Sequence, residues 1–124
     1  MTATPPLLPS EFADPTLDLA PADVADRLAR GALTLVDIRE TYEWDAGHVP
    51  GSVHHEIERV ASQAPAIPRD RPVAFLCRGG VRAGLVATAF RAIGYDAYNV
   101  RGGFTHWHAA GLPATPDDAV VAEH

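Results

Sequence analysis

The chain of 124 residues contains one cysteine and no lysine. A single cysteine excludes an internal disulfide and a cysteine-rich zinc site, and it fits a reducing compartment. Because lysine is absent, all ten side chains in the Lys+Arg count are arginines. Arginine suits planar, bidentate contacts with anions, so clustered arginines in this chain would favour an anionic ligand.

The sequence also lacks the features of membrane and exported proteins. No apolar run approaches the length of a membrane span, and the first residues lack the basic flank and apolar stretch of a secretory signal. The formal net charge of −6 argues against general affinity for nucleic acid or anionic membranes. We therefore expect a cytoplasmic protein that binds neither nucleic acid nor membrane.

The composition divides the chain into three parts. Residues 1–17 form a proline-rich N-terminal extension, residues 18–113 carry regular hydrophobic patterns, and residues 114–124 read as an acidic C-terminal tail that we expect to fray. The patterned part is long enough to bury a core without disulfides or metals. A single domain of 13.2 kDa is therefore expected.

Strand and helix patterns alternate along this domain. Strands are predicted at 33–38, 52–55, 72–76 and 95–100, and helices at 21–30, 41–46, 56–64, 82–93 and before Gly111. This alternation predicts an α/β fold with a mainly parallel sheet and helices on both faces. In such sheets the ligand site lies beyond the carboxyl ends of the strands, where Cys77 and Asp37 are expected.

Residues 77–82, with the sequence CRGGVR, join a predicted buried strand to a predicted helix. The two glycines allow a tight turn whose amides can face an anion, and the helix adds its positive dipole end. A thiol in that field is favoured as the nucleophilic thiolate. The alternative reading of Cys77 is an inert buried cysteine at the end of a core strand.

Four segments, in this order, resemble the rhodanese family of thiosulfate-type sulfurtransferases. They are 35–40 (LVDIRE), 42–52 (YEWDAGHVPGS), 77–82 (CRGGVR) and 101–113 (RGGFTHW followed by AGLP). The resemblance covers residues 18–113 and implies a rhodanese-like, mainly parallel sheet of five strands. It also implies that Cys77 carries sulfur as a persulfide, without any cofactor.

The resemblance assigns roles around Cys77. The backbone of Arg78, Gly79, Gly80, Val81 and Arg82 would hold the persulfide and the arriving anion. At least one of the two arginine side chains is expected to contact the donor, and one could instead pair with an acid. The implied partners are a small anionic sulfur donor and a cyanide, thiol or protein acceptor.

The resemblance also implies that Asp37 and Arg39 support the loop. The aspartate could accept hydrogen bonds from the loop, and the arginine could pair with an acid such as Glu43. The other reading is a solvated ion pair at a strand end, worth about 0–1 kcal/mol.

The remaining aromatic and histidine residues have structural expectations. The resemblance implies that His48 orders its loop, and Trp44 and Trp107 are expected to anchor the core. The pairs 54–55 and 106/108 are not spaced to share one face, so no metal site is predicted.

Two further functions stay open. The chain could be a persulfide carrier or interaction module that never turns over free thiosulfate. It could also be a phosphatase or arsenate reductase, although relatives with those activities use a loop one residue longer. Here four residues separate Cys77 from Arg82.

Overall fold

A computed structural model describes residues 15–122, so the predicted extension lies mostly outside the described residues. A 3₁₀ turn at Pro15–Leu17 precedes the first strand, and the Leu17 side chain, which we assigned to the extension, is buried in the core. The strands are β1 Asp18–Leu19, β2 Thr34–Asp37, β3 Val53–His54, β4 Val73–Leu76 and β5 Ala97–Val100. The helices are α1 Pro21–Ala29, α2 Thr41–Ala46, α3 Ile57–Val60, α4 Val81–Ala92 and α5 Gly103–Ala109.

The five strands form one sheet in the order β1-β5-β4-β2-β3, and every neighbouring pair is parallel. Between residues 15 and 122, no helix combines the length and apolarity needed to cross a membrane. After β3 the chain returns to the other side of β2 to form β4. Parallel sheets bind ligands at such a reversal, beyond the carboxyl ends of the strands.

Alternate residues of the central strands point to opposite faces and build two cores. On one face Phe75 packs with Val36 and with Phe90 of α4. On the other face Leu35 and Leu76 pack in the cluster that contains Trp107 of α5. The prediction of a mainly parallel α/β fold with helices on both faces is therefore confirmed.

Three element predictions need correction. The strand β1 was missed, because two residues are too few to show a period. The helix predicted at 56–64 ends at Val60, and a separate 3₁₀ turn follows at Ala64–Ala66, with Pro65 in its first turn. The strand predicted from Tyr95 begins at Ala97, because the Tyr95 amide donates to the Phe90 carbonyl at the end of α4 instead of to a neighbouring strand.

The C-terminal segment also differs from expectation. We expected residues 114–124 to fray, but the described part makes hydrogen bonds with residues 46–48 and α5, and Ala119 is buried. Backbone groups make most of these contacts. Such contacts leave no hydrophobic period in the sequence, which is why the pattern suggested a frayed tail.

Candidate active site

Cys77 directly follows β4, and the register places its neighbour Leu76 opposite Asp37, the last residue of β2. Both predicted positions therefore lie at the carboxyl edge of the sheet, on adjacent strands. The cysteine is 1% exposed, with Gly80 in a left-handed conformation at the start of α4. The loop thus turns tightly around the thiol.

Two backbone amides point at the cysteine sulfur. The Gly80 N–H donates to Sγ at 3.0 Å, and the Ala83 N–H donates to it at 3.4 Å. Both contacts, together with the N-terminal end of the twelve-residue helix α4, stabilise negative charge on sulfur. An inert core cysteine does not require this arrangement, so the geometry favours a nucleophile.

A second glycine loop holds the cysteine loop from behind. The Phe104 N–H donates to the Cys77 carbonyl at 2.8 Å, and the Thr105 N–H donates to the Arg78 carbonyl at 3.0 Å. The Thr105 hydroxyl also donates to the Arg78 carbonyl, at 2.9 Å. These bonds fix the loop carbonyls and leave its amides turned toward sulfur.

Gly103 makes this close approach possible. It has a φ of +61°, and a Cβ there would lie 2.6 Å from the Arg78 carbonyl oxygen, as well as colliding with the Cys77 carbonyl. Residues 101–113 pointed only to the family resemblance in the sequence, and their role in holding the loop was missed. The adjacent glycines at 102–103 were the available signal, since glycine permits both positive φ and close backbone approach.

Asp37 and Arg39 form a fully buried ion pair. Their side chains are 0% exposed, and Arg39 Nη2 lies 2.7 Å from Asp37 Oδ2. Arg39 also donates through Nε to Asp37 Oδ1 at 3.0 Å and through Nη2 to the Gly47 carbonyl at 2.8 Å. A solvated ion pair is therefore excluded.

The pair reaches the cysteine loop indirectly. The Arg39 guanidinium lies 4.2 Å from the centre of the Phe104 ring, and the Phe104 amide bonds the Cys77 carbonyl. The acid that pairs with Arg39 in the buried ion pair is Asp37. Glu43 is also buried, and it accepts from the Glu40 amide in a capping box at the start of α2.

The two loop arginines are both half-buried. Arg82 lies in the first turn of α4. Arg78 donates from Nε to the carbonyl of Ala122 at 3.0 Å, a contact that no sequence pattern indicated.

The core-anchor predictions for the two tryptophans have different outcomes. Trp107 is fully buried and donates its Nε1–H to the Pro113 carbonyl at 2.8 Å, as a core anchor should. Trp44 is only half-buried and is stacked on two imidazoles, with 3.7 Å between ring centres to His48 and 4.8 Å to His54. The core-anchor prediction is therefore wrong for Trp44.

Three histidines near the site, His48, His54 and His55, make local contacts. His48 Nδ1 lies 2.8 Å from the Trp44 carbonyl, which agrees with a loop-ordering role. His54 Nε2 lies 2.6 Å from the Arg39 carbonyl, and His55 Nδ1 lies 2.6 Å from Gln63 Oε1. Within residues 15–122, no group of three or more His, Cys, Asp or Glu side chains is arranged to hold a metal ion.

Comparison with known proteins agrees with this geometry. A family model described as Rhodanese-like domain matches residues 20–110. The thiosulfate sulfurtransferase GlpE of Pseudomonas savastanoi pv. phaseolicola is 30% identical over 101 residues, which cover 81% of this chain and 92% of that protein. A crystal structure of a rhodanese-related protein from Thermoplasma volcanium superimposes with a TM-score of 0.73 at 24% identity, covering 79% of this chain and 96% of that one.

Other relatives are covered less completely by the match. The HTH-type transcriptional regulator Rv0324 of Mycobacterium tuberculosis is 33% identical over 94 residues, which cover 74% of this chain but 42% of the regulator. The uncharacterized protein YqhL of Bacillus subtilis is 34% identical over 74 residues, 59% of each protein. The matched unit thus occurs both alone and within larger proteins. With a family model that spans most of its length and a sulfurtransferase relative matched almost end to end, the chain belongs to the rhodanese-like domain family.

Proposed function

We propose that the chain is a sulfurtransferase that moves sulfane sulfur from thiosulfate, or a similar donor, to a nucleophilic acceptor through a persulfide on Cys77. The observation that carries this proposal is the pair of amides, from Gly80 and Ala83, that donate to Cys77 Sγ. They stabilise the Cys77 thiolate before it attacks the donor. They stabilise it again when the acceptor takes the sulfur and the thiolate is released. The likeness to a thiosulfate sulfurtransferase over most of both chains supports the same reaction.

The first half-reaction loads the cysteine. The Cys77 thiolate attacks the outer sulfur of thiosulfate, and a new sulfur–sulfur bond forms. The donor's own sulfur–sulfur bond breaks, and its electron pair leaves with sulfite. The enzyme retains the transferred atom as a persulfide, which is covalent catalysis of the ping-pong type.

The second half-reaction unloads it. A nucleophile such as cyanide or a thiolate attacks the terminal sulfur, and the bond between the two persulfide sulfurs breaks. Its electron pair returns to Cys77 Sγ, where the Gly80 and Ala83 amides receive the charge. The cycle balances without an external oxidant or reductant, and it uses no cofactor.

The loop supplies the binding groups for the donor. The backbone from Arg78 through Gly79, Gly80 and Val81 to Arg82 encloses the sulfur, and the two guanidinium groups attract the sulfonate oxygens. Asp37 and Arg39 act indirectly: Asp37 holds the Arg39 guanidinium, which packs on the Phe104 ring beneath the loop.

The direct test is the intact mass of the protein after incubation with thiosulfate. We expect a gain of one sulfur atom that cyanide or a reductant removes, and no gain in Cys77→Ser. A wild-type protein that gains no sulfur, or a serine variant that gains it, would overturn the proposal.

A persulfide carrier is the second candidate. The probable adenylyltransferase/sulfurtransferase MoeZ of Mycobacterium tuberculosis is 29% identical over 93 residues, only 24% of its length, so related units occur within larger proteins. A carrier would gain sulfur yet turn over thiosulfate and cyanide slowly in the steady state. Hydrolysis of an aryl phosphate by the wild type would instead favour phosphatase chemistry.

A further inference from the structure

The last described residues, 115–122, form a strap across the carboxyl edge of the sheet. The Thr115 amide donates to the His48 carbonyl at 2.8 Å, and the His48 amide donates back at 3.0 Å. Further along, the Val120 amide donates to the Ala46 carbonyl at 3.0 Å. The strap therefore has a defined path along the end of α2.

Side chains fit the strap closely to the domain. Ala119 is 8% exposed, and a Cβ placed on Gly47 would lie 2.7 Å from the Ala119 Cβ. His108 of α5 holds the same residue from the other side, with Nε2 2.8 Å from the Ala119 carbonyl oxygen. The strap is thus packed between α2 and α5, which is unnecessary for a tail that only carries charge.

The strap ends on a candidate substrate-binding residue. Arg78 donates from Nε to the Ala122 carbonyl at 3.0 Å. Within residues 15–122, that carbonyl is the acceptor that the Arg78 side chain uses, and the contact does not engage its two terminal nitrogens. An arginine anchored through Nε keeps its two Nη groups for an anion.

We propose that the strap is a positioning element of the active site, which orders Arg78 for an anionic sulfur donor. The inference rests on the proposed role of the loop in anion binding. It extends that role to the strap, which lies outside residues 20–110, the part of the chain that the family model matches. A mobile arginine loses rotamer freedom when it captures an anion. A side chain already held by Ala122 loses less, so its contact with the anion is stronger.

The test breaks the strap without touching the loop. Val120→Pro removes the amide that bonds the Ala46 carbonyl, whereas the matched control Val120→Ala keeps this amide and alters only an exposed side chain. We compare alkylation of Cys77 by iodoacetate, an anion, with alkylation by neutral iodoacetamide. The rate ratio isolates anion preference and requires no sulfur transfer.

We expect the iodoacetate-to-iodoacetamide ratio to fall roughly three- to tenfold in Val120→Pro and to stay unchanged in Val120→Ala. In an Arg78→Ala background, the proline substitution should have no further effect. The calorimetric dissociation constant of sulfite, which requires no reaction at Cys77, should weaken in the same pattern. A chain that ends at Asp118 provides a second way to remove the contact, with circular dichroism to verify folding.

Three results would contradict the proposal. An unchanged ratio and sulfite affinity in both strap variants would overturn the proposal, as would a rise in anion preference, which would mean that the strap withholds Arg78. A full effect of the proline in the Arg78→Ala background would also refute it. The double variant Asp117→Asn/Asp118→Asn should lower neither the alkylation-rate ratio nor the affinity for sulfite. This control separates the ordering of Arg78 from an effect of the negative charge on the strap. If the protein did not turn over thiosulfate but the iodoacetate-to-iodoacetamide ratio changed as expected, the proposed function would be rejected. The role of the strap in positioning Arg78 would stand.

Discussion

At the scale of single residues, the Asp37–Arg39 ion pair has the strictest requirement for hydrogen-bond partners, because both charges are buried. Two charges without exposure to water are expensive unless each meets the other and the remaining polar groups find partners. Asp37 receives the Arg39 backbone amide at 3.0 Å as well as its side chain, and Arg39 reaches the Gly47 carbonyl. The short spacing of Asp37 and Arg39 makes this internal pairing possible.

Removing one charge of this pair should destabilise the protein strongly. For Asp37→Asn we expect a loss of about 3–5 kcal/mol in the free energy of unfolding, because Arg39 would stay buried without a counter-ion. The chain offers a matched control in Asp26→Asn, whose partner Arg30 is 63% exposed. That change should cost less than about 1 kcal/mol. Urea denaturation measures both, and equal small losses would show that the buried pair adds no stability.

The nucleophile gives the second prediction at this scale. Cys77→Ser should abolish sulfur transfer and leave the fold intact, because the two side chains are nearly the same size. The hydroxyl stays protonated near neutral pH and cannot form a persulfide. Steady-state turnover with thiosulfate and cyanide measures the loss, and circular dichroism checks the fold. Appreciable turnover by a folded serine variant would contradict covalent catalysis at this position.

At the scale of elements, the cysteine loop depends on contact between two backbones. Gly80 has a φ of +91°, and a Cβ there would lie 3.0 Å from the Gly102 amide nitrogen. Gly79, its neighbour, would place a Cβ in open space, with no atom within 4 Å. The two glycines look alike in the sequence, yet the structure gives them different requirements.

Matched alanine substitutions separate these two glycines. Gly80→Ala should lower kcat/KM for sulfur transfer by roughly a hundredfold, because a shift of about 1 Å displaces the amides from Sγ. Gly79→Ala should retain activity within a few-fold. Steady-state kinetics decide between them, and similar losses in both would show that the close approach to Gly102 is unimportant.

Sequence patterns predicted these elements unevenly, for physical reasons. The buried strand β4 and the helix α4 have strong apolar patterns, so the position of Cys77 between them could be predicted. The stack of Trp44 on His48 and His54 could not, because it joins residues from separate elements. The strap was missed for a similar reason, since the bond from Val120 to Ala46 joins two backbones and leaves no side-chain signature.

At the scale of the whole molecule, one parallel sheet places every part of the site on one edge. Asp37 and Cys77 come from adjacent strands, and the loop before α5 approaches from the neighbouring strand β5. One hydrophobic core covers each face of the sheet behind this edge. The fold alone does not determine the reaction, because similar folds carry different chemistries through their loops.

Loop length is therefore the feature in which we expect substrate class to be encoded. The Cys77 and Arg78 carbonyls are clamped by α5, so one glycine inserted between Gly80 and Val81 cannot move that half of the loop. It should instead displace the start of α4, and with it the Ala83 amide that lies 3.4 Å from Sγ. The fold should survive, because one inserted residue adds little to the entropy cost of closing the loop.

We expect the insertion to lower sulfur transfer by about a hundredfold or more, because amide donors act only over short distances. The larger turn could also admit a tetrahedral oxyanion beside Cys77, so weak hydrolysis of an aryl phosphate is the expected gain, against essentially none in the wild type. Intact mass after thiosulfate, turnover of both substrates and circular dichroism complete the measurement. Full sulfur transfer by the longer loop would refute the argument from loop size, even with the family assignment unchanged.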